Sequence, residues 1–288
     1  MNEAPQAADL AVRIRELATQ SPLRDRDEAR STVSRLLRTL ERGEARAAEK
    51  GPEGWRATEW VKEGILLAFR AGETVRFPAG EATKGAFPFF DRDTLPLHET
   101  RGVEENIRIV PGGSSVRAGV YLAPRVVIMP PAYVNIGAWI GAGSMVDSHA
   151  LVGSCAQIGE SVHLSAGVQI GGVLEPVGLR PVIVEDEAMI GANAGVFEGV
   201  LVGRRAVLAP GVQLTAATPL FDLVRETVYR SSPSAPLSVP EGAVVVPGTR
   251  PAPGAFAEER GLQLYAPAVV KYRDEKTDAA TALEEVLH

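Results

Sequence analysis

The chain has 288 residues, of which 45% are hydrophobic and 23% charged, a balance typical of soluble proteins with one or two domains. A net charge of −6 and a pI near 5.4 argue against nucleic acid as the main partner, because no basic domain is present to neutralise phosphates. Cys155 is the only cysteine, which excludes an intrachain disulfide, and no apolar run approaches the length of a membrane span. The opening MNEAPQAADL lacks the basic-then-apolar order of a signal peptide, so we expect a cytoplasmic protein.

The first hundred residues have the spacing of amphipathic helices. Apolar residues recur at helical intervals in two segments between residues 8 and 46, with Ser21-Pro22 as a break between them. Residues 51–54 predict a turn, and a third helix is expected through residues 60–69. We therefore predict a mostly helical N-terminal domain over residues 1–107, whose last part, residues 84–98, is a linker rich in aromatics and proline.

A six-residue period then takes over between residues 116 and 219. A period of six fits neither the 3.6 of an amphipathic helix nor the alternation of a strand, and it is the hexapeptide repeat of a parallel β-helix. Small residues often stand directly after the periodic aliphatic or four positions later. The aliphatics are Val116, Leu122, Ile128, Val134, Ile140, Val146, Val152, Ile158, Leu164 and Ile170, then, after a loop, Val184, Ile190, Val196, Val202, Leu208 and Leu214.

The period predicts a three-sided prism over residues 108–250. Each hexad is expected to form one side of a triangular coil, with its aliphatic pointing inward and glycine at turns that need positive φ or close backbone approach. One coil cannot bury its own apolar row, but stacked coils can. The sixteen periodic aliphatics are therefore core, and chemistry is expected where the sequence departs from the repeat.

After the prism the period is lost and returns once. Residues 221–237 are predicted to be a protruding loop, and Val239 and Val245 are again six residues apart. Residues 251–288 predict a short C-terminal extension, with a strand in residues 262–273 and a helix over residues 279–288. Covering the open end of the prism with these segments would protect unpaired backbone from aggregation.

Two acids depart from the repeat. Asp147 directly follows the inward Val146, where other hexads place glycine, serine or alanine, so its carboxylate can meet a neighbouring copy. Glu198 occupies a similar outward turn. Each has an alternative interpretation as a turn residue that caps backbone amides.

A metal site is not expected. His149 and His163 are the only histidines in the prism, they occupy different hexad positions, and no third histidine accompanies them. Cys155 stands at a turn position for short side chains and is expected to be a packed thiol.

Four segments carry more information than the repeat itself: IMPPAYVNIGAWIGAGSMVDSHALVGSCAQIG, VHLSAGVQIGGVLEP and VVVPG, together with AEKGPEGWRATEWVKEGILLAFR near the N-terminus. They resemble segments of the tetrahydrodipicolinate N-succinyltransferase family, the succinyl-CoA-dependent enzymes of bacterial lysine (diaminopimelate) biosynthesis. Hexapeptides alone are shared by many acyltransferases, whereas VGSCAQIG with IGGVLEP is more specific.

The resemblance implies a homotrimer of left-handed parallel β-helices with active sites between subunits. The handedness comes from the family alone, since the usual crossover preference is right-handed. Asp147, in the M-V-D motif, would contact the substrate amine and act as the base. Arg108 would meet a substrate carboxylate, for which a bidentate guanidinium is suited. The segments that contain Gly171 and Gly172 would lie along the coenzyme A cleft.

One departure from the family concerns the second acid. In many members an acid stands in the motif A-R-S-E-V-V-E-G where this chain, in GANAGVFEG, has Gly195. Either Glu198 takes over that role or one carboxylate is enough. For the phosphates of the coenzyme, Lys271, Arg273 and Arg250 are candidates.

Three other functions are compatible with hexapeptide repeats. The first is an acetyl-CoA-dependent acyltransferase acting on the same or a related amino acid. The second is a γ-type carbonic anhydrase, which depends on three zinc histidines. The third is a non-catalytic solenoid.

Overall fold

The computed structural model describes residues 3–77, 89–100, 102–232 and 235–274. The three predicted N-terminal helices are confirmed, as α1 (Glu3–Ala18), α2 (Arg26–Glu41) and α3 (Glu59–Ala71). Asp25 caps α2, because its carboxylate accepts the backbone N–H of Glu28. Leu10, Ile14, Leu36 and Ile65 form one core between the helices.

Two antiparallel hairpins accompany the helices, although a mostly helical domain was expected. The first joins β1 (Ala48–Gly51) to β2 (Gly54–Ala57), and the second joins β3 (Thr74–Phe77) to β4 (Phe89–Arg92). The strand β4 therefore lies inside the predicted linker, of which residues 84–88 fall outside the described residues. Farther along, the backbone at residues 96–98 bonds to residues 116 and 118 and so reaches the first coil.

The predicted β-helix is confirmed as short parallel strands, most of them two residues long, that repeat every six residues in the uninterrupted stretches of the prism. They are β5 (Arg108–Ile109), β6 (Ser115–Val116), β7 (Tyr121–Leu122), β8 (Val127–Ile128), β9 (Tyr133–Val134), β10 (Trp139–Ile140), β11 (Met145–Val146), β12 (Leu151–Val152), β13 (Gln157–Ile158), β14 (His163–Leu164), β15 (Gln169–Ile170), β16 (Ile183–Val184), β17 (Met189–Ile190), β18 (Gly195–Val196), β19 (Leu201–Val202), β20 (Val207–Leu208), β21 (Gln213–Leu214), β22 (Leu220–Asp222), β23 (Thr227–Tyr229), β24 (Ser238–Val239) and β25 (Ala243–Val246), of which β22 and β23 form a separate hairpin.

Every third strand of the repeat belongs to the same face of the prism. Face 1 contains β5, β8, β11, β14, β17, β20 and β25; face 2 contains β6, β9, β12, β15, β18 and β21; face 3 contains β7, β10, β13, β16, β19 and β24. From β6 to β15, and again from β16 to β21, register partners are 18 residues apart, as with Met145 and His163, so one coil is three hexads. All sixteen periodic aliphatics are buried, as predicted.

Close stacking explains the glycines that follow the inward aliphatics. A Cβ on Gly153 would lie 2.2 Å from the nitrogen of Gly172, and one on Gly141 would lie 2.3 Å from the carbonyl oxygen of Gly159. These contacts are to backbone of the next coil, which cannot move aside without breaking the ladder. Positive φ is found instead at other turn residues, such as Gly137 and Cys155.

The helical domain packs on the corner between faces 2 and 3. Ile136 and Cys155 of the prism belong to the same apolar core as the helices. Cys155 is fully buried, as predicted, and burial raises the pKa of its thiol to about 12, so it stays protonated at neutral pH. The side chain of Lys62 in α3 is also fully buried, and its Nζ donates to the carbonyl oxygen of Leu179 in the insertion, residues 171–182. Burial lowers the pKa of Lys62.

Arg46 and the first hairpin cover face 3. The guanidinium of Arg46 lies 3.9 Å from the centroid of the Trp139 ring, and its Nε donates to Gln157 over 3.0 Å. Burial lowers the pKa of Arg46 to about 10. Glu185, only 16% exposed, accepts hydrogen bonds from Lys50 (2.7 Å) and from the Trp55 indole (2.9 Å). These polar contacts fix the hairpin against the prism.

We expect Glu185→Gln to destabilise the fold in a pH-dependent way. Burial, the largest influence, raises the pKa of Glu185, but the hydrogen bonds from Lys50 and Trp55, the charge of Lys50 and the Arg204 N–H together hold it below the ordinary value. A depressed pKa stabilises the fold above the unfolded value, near 4.3, and this stabilisation disappears as pH falls through the folded value. The free energy of unfolding should therefore drop by about 1 to 2 kcal/mol at pH 7.

Urea unfolding of wild type and Glu185→Gln between pH 7 and pH 3 measures this difference, which should shrink below about pH 4. Glu160→Gln, an exposed acid beside the same hairpin, is the matched control. If the difference in free energy of unfolding between wild type and Glu185→Gln did not change with pH, the charge of Glu185 would not be what stabilises the contact.

The C-terminal segment covers the upper end of the prism. It contains β26 (Thr249–Pro251), α4 (Ala255–Glu259), β27 (Gln263–Tyr265) and β28 (Ala268–Tyr272). β28 pairs antiparallel with β25 and parallel with β22, so residues predicted as a protruding loop are partly joined to face 1. The Tyr265 hydroxyl accepts the backbone N–H of Gln213 at the upper edge of face 2. The predicted helix at residues 279–288 lies outside the described residues.

Asp222 fixes this end. Its Oδ1 accepts the backbone N–H groups of Val224 and Arg225, and its Oδ2 accepts the hydroxyls of Tyr229 and Tyr272. Burial, the largest influence, raises the pKa of Asp222, but the four hydrogen bonds outweigh it and keep the pKa below its ordinary value. One carboxylate thus joins β22, β23 and β28.

Within the described part of the chain, none of the helices has the length and apolarity that crossing a bilayer requires.

Candidate active site

Asp147 stands at the corner between faces 1 and 2. It follows β11 directly, and its side chain is 31% exposed. Its Oδ1 accepts the backbone N–H of Ser148 over 2.7 Å, which orients the carboxylate. The Oδ2 atom lies 3.9 Å from Nε2 of His163 and makes no closer polar contact within the described residues. A half-exposed carboxylate held by its own turn can receive a proton from a ligand.

Arg108 lies on the same face as Asp147. It is the exposed first residue of β5, which pairs with β8, which in turn pairs with β11. Two strand spacings, roughly 10 Å, therefore separate Arg108 from the strand that carries Asp147. This arrangement can hold a carboxylate at Arg108 and an amine at Asp147 when both belong to one small molecule.

Glu198 lies at a different corner. It follows β18, between faces 2 and 3, and the width of face 2 and two coils separate it from Asp147. Its φ is +54°, and its Oε2 accepts the backbone N–H of Ala216 over 2.9 Å, so it caps a turn of the next coil. One chain therefore does not bring the two acids together.

Gly195, at the position where the resemblance implies an acid, is buried. A Cβ at this position would lie 2.2 Å from the Gln213 amide oxygen and 2.4 Å from the Phe197 ring. The neighbouring side chains therefore occupy the space that a longer side chain would need.

Gly171 and Gly172 lie at the same corner as Glu198, where the insertion leaves the prism. A Cβ on Gly171 would meet Phe197, and one on Gly172 would lie 2.7 Å from the nitrogen of Ser154. The backbone N–H groups of Gly153 and Gly171 already donate to Ile170 and Val196 in the coil ladder. These two amides are thus engaged in the fold.

A groove lies beside Glu198, and no sequence pattern predicts it. It has a volume of about 810 Å³ and lies between the β1–β2 hairpin and the insertion, with Arg180, Glu198 and Pro236 in its wall. Arg180 is oriented by the Gly199 carbonyl, to which its Nη2 donates over 2.8 Å, and burial lowers the pKa of Arg180. The groove depends on the β1–β2 hairpin, whose turn at residues 51–54 was predicted but whose two strands were not.

The predicted phosphate ligands lie near the upper end of the prism. Lys271 is in β28, paired with Val244, and the Arg273 guanidinium donates to the carbonyl of Arg205 over 3.0 Å. Arg250 is in β26, and its Nε is buried without a hydrogen-bond partner. Among the described residues, no group of three histidine, cysteine or acidic side chains is arranged to hold a metal ion.

Comparisons with known proteins agree with this architecture. Residues 11–71 match the family model described as tetrahydrodipicolinate N-succinyltransferase N-terminal, and residues 181–216 match the hexapeptide repeat of succinyl-transferase. The chain is 40% identical over 264 residues to the 2,3,4,5-tetrahydropyridine-2,6-dicarboxylate N-succinyltransferase of Bradyrhizobium diazoefficiens, with 90% of each chain covered. It is 43% identical over 277 residues to the protein of the same name from Azoarcus sp., covering 94% of this chain and 93% of that one. Identity at this level over nearly the full length establishes that the chain belongs to the 2,3,4,5-tetrahydropyridine-2,6-dicarboxylate N-succinyltransferase family.

Proposed function

We propose that this protein transfers the succinyl group of succinyl-CoA to the amine of 2-amino-6-oxopimelate, the open hydrated form of tetrahydrodipicolinate, in lysine and diaminopimelate biosynthesis. The observation that carries the proposal is the identity of about 40% over nine tenths of the chain to relatives named for this reaction. The position of Arg108 and Asp147 on one face supports it further, because the substrate has carboxylates and an amine.

In the proposed reaction Asp147 removes a proton from the substrate ammonium. An aliphatic amine is mostly protonated at neutral pH and cannot attack a thioester until a base removes that proton. Arg108 binds a substrate carboxylate and so places the amine at Asp147. Since Gly153 and Gly171 are engaged in the ladder, the backbone donor we propose for the oxyanion of the tetrahedral intermediate is the Gly172 N–H. Gly172 shares the corner of Glu198, so it would have to come from a neighbouring copy. Proximity of the two bound substrates supplies a further large part of the rate.

We further propose left-handed coils and a homotrimer with active sites between subunits. The support is the family resemblance together with the distance between Asp147 and Glu198 in one chain. Glu198 can approach the substrate of Asp147 only if it comes from another copy. Gly171, Gly172, Lys271 and Arg273 are the residues we propose for coenzyme A, and the proposed chemistry requires no metal.

A thiol-release assay tests the donor and the acceptor together. With tetrahydrodipicolinate as acceptor, we expect kcat/KM for succinyl-CoA to exceed that for acetyl-CoA at least tenfold, roughly 1.4 kcal/mol of discrimination. Omitting the acceptor is the control for simple hydrolysis. A preference for acetyl-CoA would replace the succinyl assignment, and no thiol release from any acyl-CoA would favour a non-catalytic solenoid.

A further inference from the structure

His163 lies beside Asp147 with one ring nitrogen unsatisfied. His163 is the first residue of β14 and is paired with Met145, two residues before Asp147. Its Nε2 is buried without a hydrogen-bond partner and lies 3.9 Å from Oδ2 of Asp147. A buried ring nitrogen with no partner is costly, so its orientation toward a carboxylate needs an explanation.

The rest of the ring faces outward. The side chain of His163 is 43% exposed although Nε2 is buried, so the exposure is carried by the other ring atoms. On face 1 the neighbours in register are Met145 and Met189, which carry no charge. Asp147 is the titratable group that contacts the ring among the described residues, and Nδ1 is the remaining ring nitrogen that a ligand can use.

The proposed reaction includes a second proton transfer, for which a second acceptor group is useful. The substrate ammonium loses one proton before attack, and the nitrogen of the tetrahedral intermediate loses another after the C–N bond forms. The C–S bond then breaks, and the leaving thiolate takes up one proton. The net change is amide, free thiol and one proton released to solvent. A group that accepts the second proton and returns it to sulfur lowers both barriers, and histidine is suited to both transfers near neutral pH.

We propose that His163 is this second group, and the proposal rests on the transferase function proposed above. Asp147, exposed to solvent, passes the first proton on and is again a carboxylate when the tetrahedral intermediate forms. A movement of about 1 Å brings Nε2–H within hydrogen-bond distance of Asp147. This contact fixes the tautomer and leaves Nδ1 as the free base. Nδ1 takes the second proton from nitrogen, Asp147 stabilises the imidazolium, and the proton is transferred to the thiolate as the carbonyl re-forms.

The test is steady-state kinetics of His163→Gln and His163→Ala with succinyl-CoA and tetrahydrodipicolinate. We expect kcat to fall by about 10²- to 10⁴-fold with KM changed less than threefold, because the group acts on the reacting nitrogen and not on substrate binding. Added imidazole should restore activity to His163→Ala in proportion to its concentration, which a merely structural role would not produce. The double variant Asp147→Asn/His163→Gln should lose little more than either single variant.

His149→Asn is the matched control, since it removes an exposed prism imidazole at a corner with φ of +61°, a conformation asparagine tolerates. It should keep wild-type kcat. If the wild-type protein is active and His163→Gln loses less than tenfold in kcat, the proposed role of His163 is overturned. The same holds if imidazole does not rescue His163→Ala. Either result leaves the transferase proposal intact. A wild-type protein that releases no thiol overturns both.

Discussion

Asp147→Asn is expected to lower kcat/KM by about 10²- to 10⁴-fold, the contribution of a general base. Asparagine has nearly the same shape, and its side-chain oxygen can still accept the Ser148 N–H that now bonds to Oδ1 over 2.7 Å. The fold should therefore be unchanged, and only the ability to accept a proton is lost. Thiol release measured under kcat/KM conditions, with thermal unfolding as a check on folding, gives the result.

Glu241→Gln is the matched control for Asp147→Asn. Glu241 is an exposed acid on another corner, so the substitution removes one negative charge without touching the proposed site. It should keep kcat/KM within about twofold, the range expected for a remote surface charge. If Asp147→Asn retained more than about a tenth of wild-type kcat/KM, Asp147 would not be the base.

Gly153→Ala is expected to destabilise the prism by about 3 kcal/mol or more, because overpacking against backbone cannot be relieved by a rotamer change. The added Cβ would lie 2.2 Å from the nitrogen of Gly172 and 2.6 Å from the carbonyl carbon of Gly171. Two coils would have to separate, and the insertion begins where they touch. Urea unfolding followed by circular dichroism measures the loss.

Gly51→Ala is the matched control. Gly51 has no positive φ, and the atom nearest to a Cβ added there is 3.9 Å away. The free energy of unfolding of the Gly51→Ala variant should therefore differ from that of the wild type by less than about 0.5 kcal/mol. Equal effects at positions 51 and 153 would mean that coil contact is not the reason for glycine at position 153.

The prism could be predicted because its signal is local and repeated. The aliphatic residue of each hexad indicates which side chain points inward, and all sixteen periodic aliphatics are buried. The hairpins could not be predicted in the same way. β1 and β2 have no alternating apolar pattern, and they depend on contacts with distant residues, such as that between Trp55 and Glu185. The groove beside Glu198 could not be predicted for the same reason, because the β1–β2 hairpin forms part of its wall.

The positions of the proposed site residues in the fold could be predicted up to the insertion. Register partners 18 residues apart place His163 on the face of Met145, so its position beside Asp147 could be counted from sequence. Beyond residue 170 the face of each residue can no longer be counted from the sequence, because the sequence does not show whether the insertion replaces a turn or a whole hexad. For that reason Glu198 could not be assigned to a corner before the fold was known.

The cover on the upper end of the prism has a consequence for how copies can meet. A rod of parallel coils would otherwise offer its last strands to the next rod and lengthen without limit, as fibrils do. Here β28 runs antiparallel across β25, and the Tyr265 hydroxyl takes up an edge N–H of β21. Both edges of β25 are therefore already paired, which is consistent with the side-by-side association of copies proposed above.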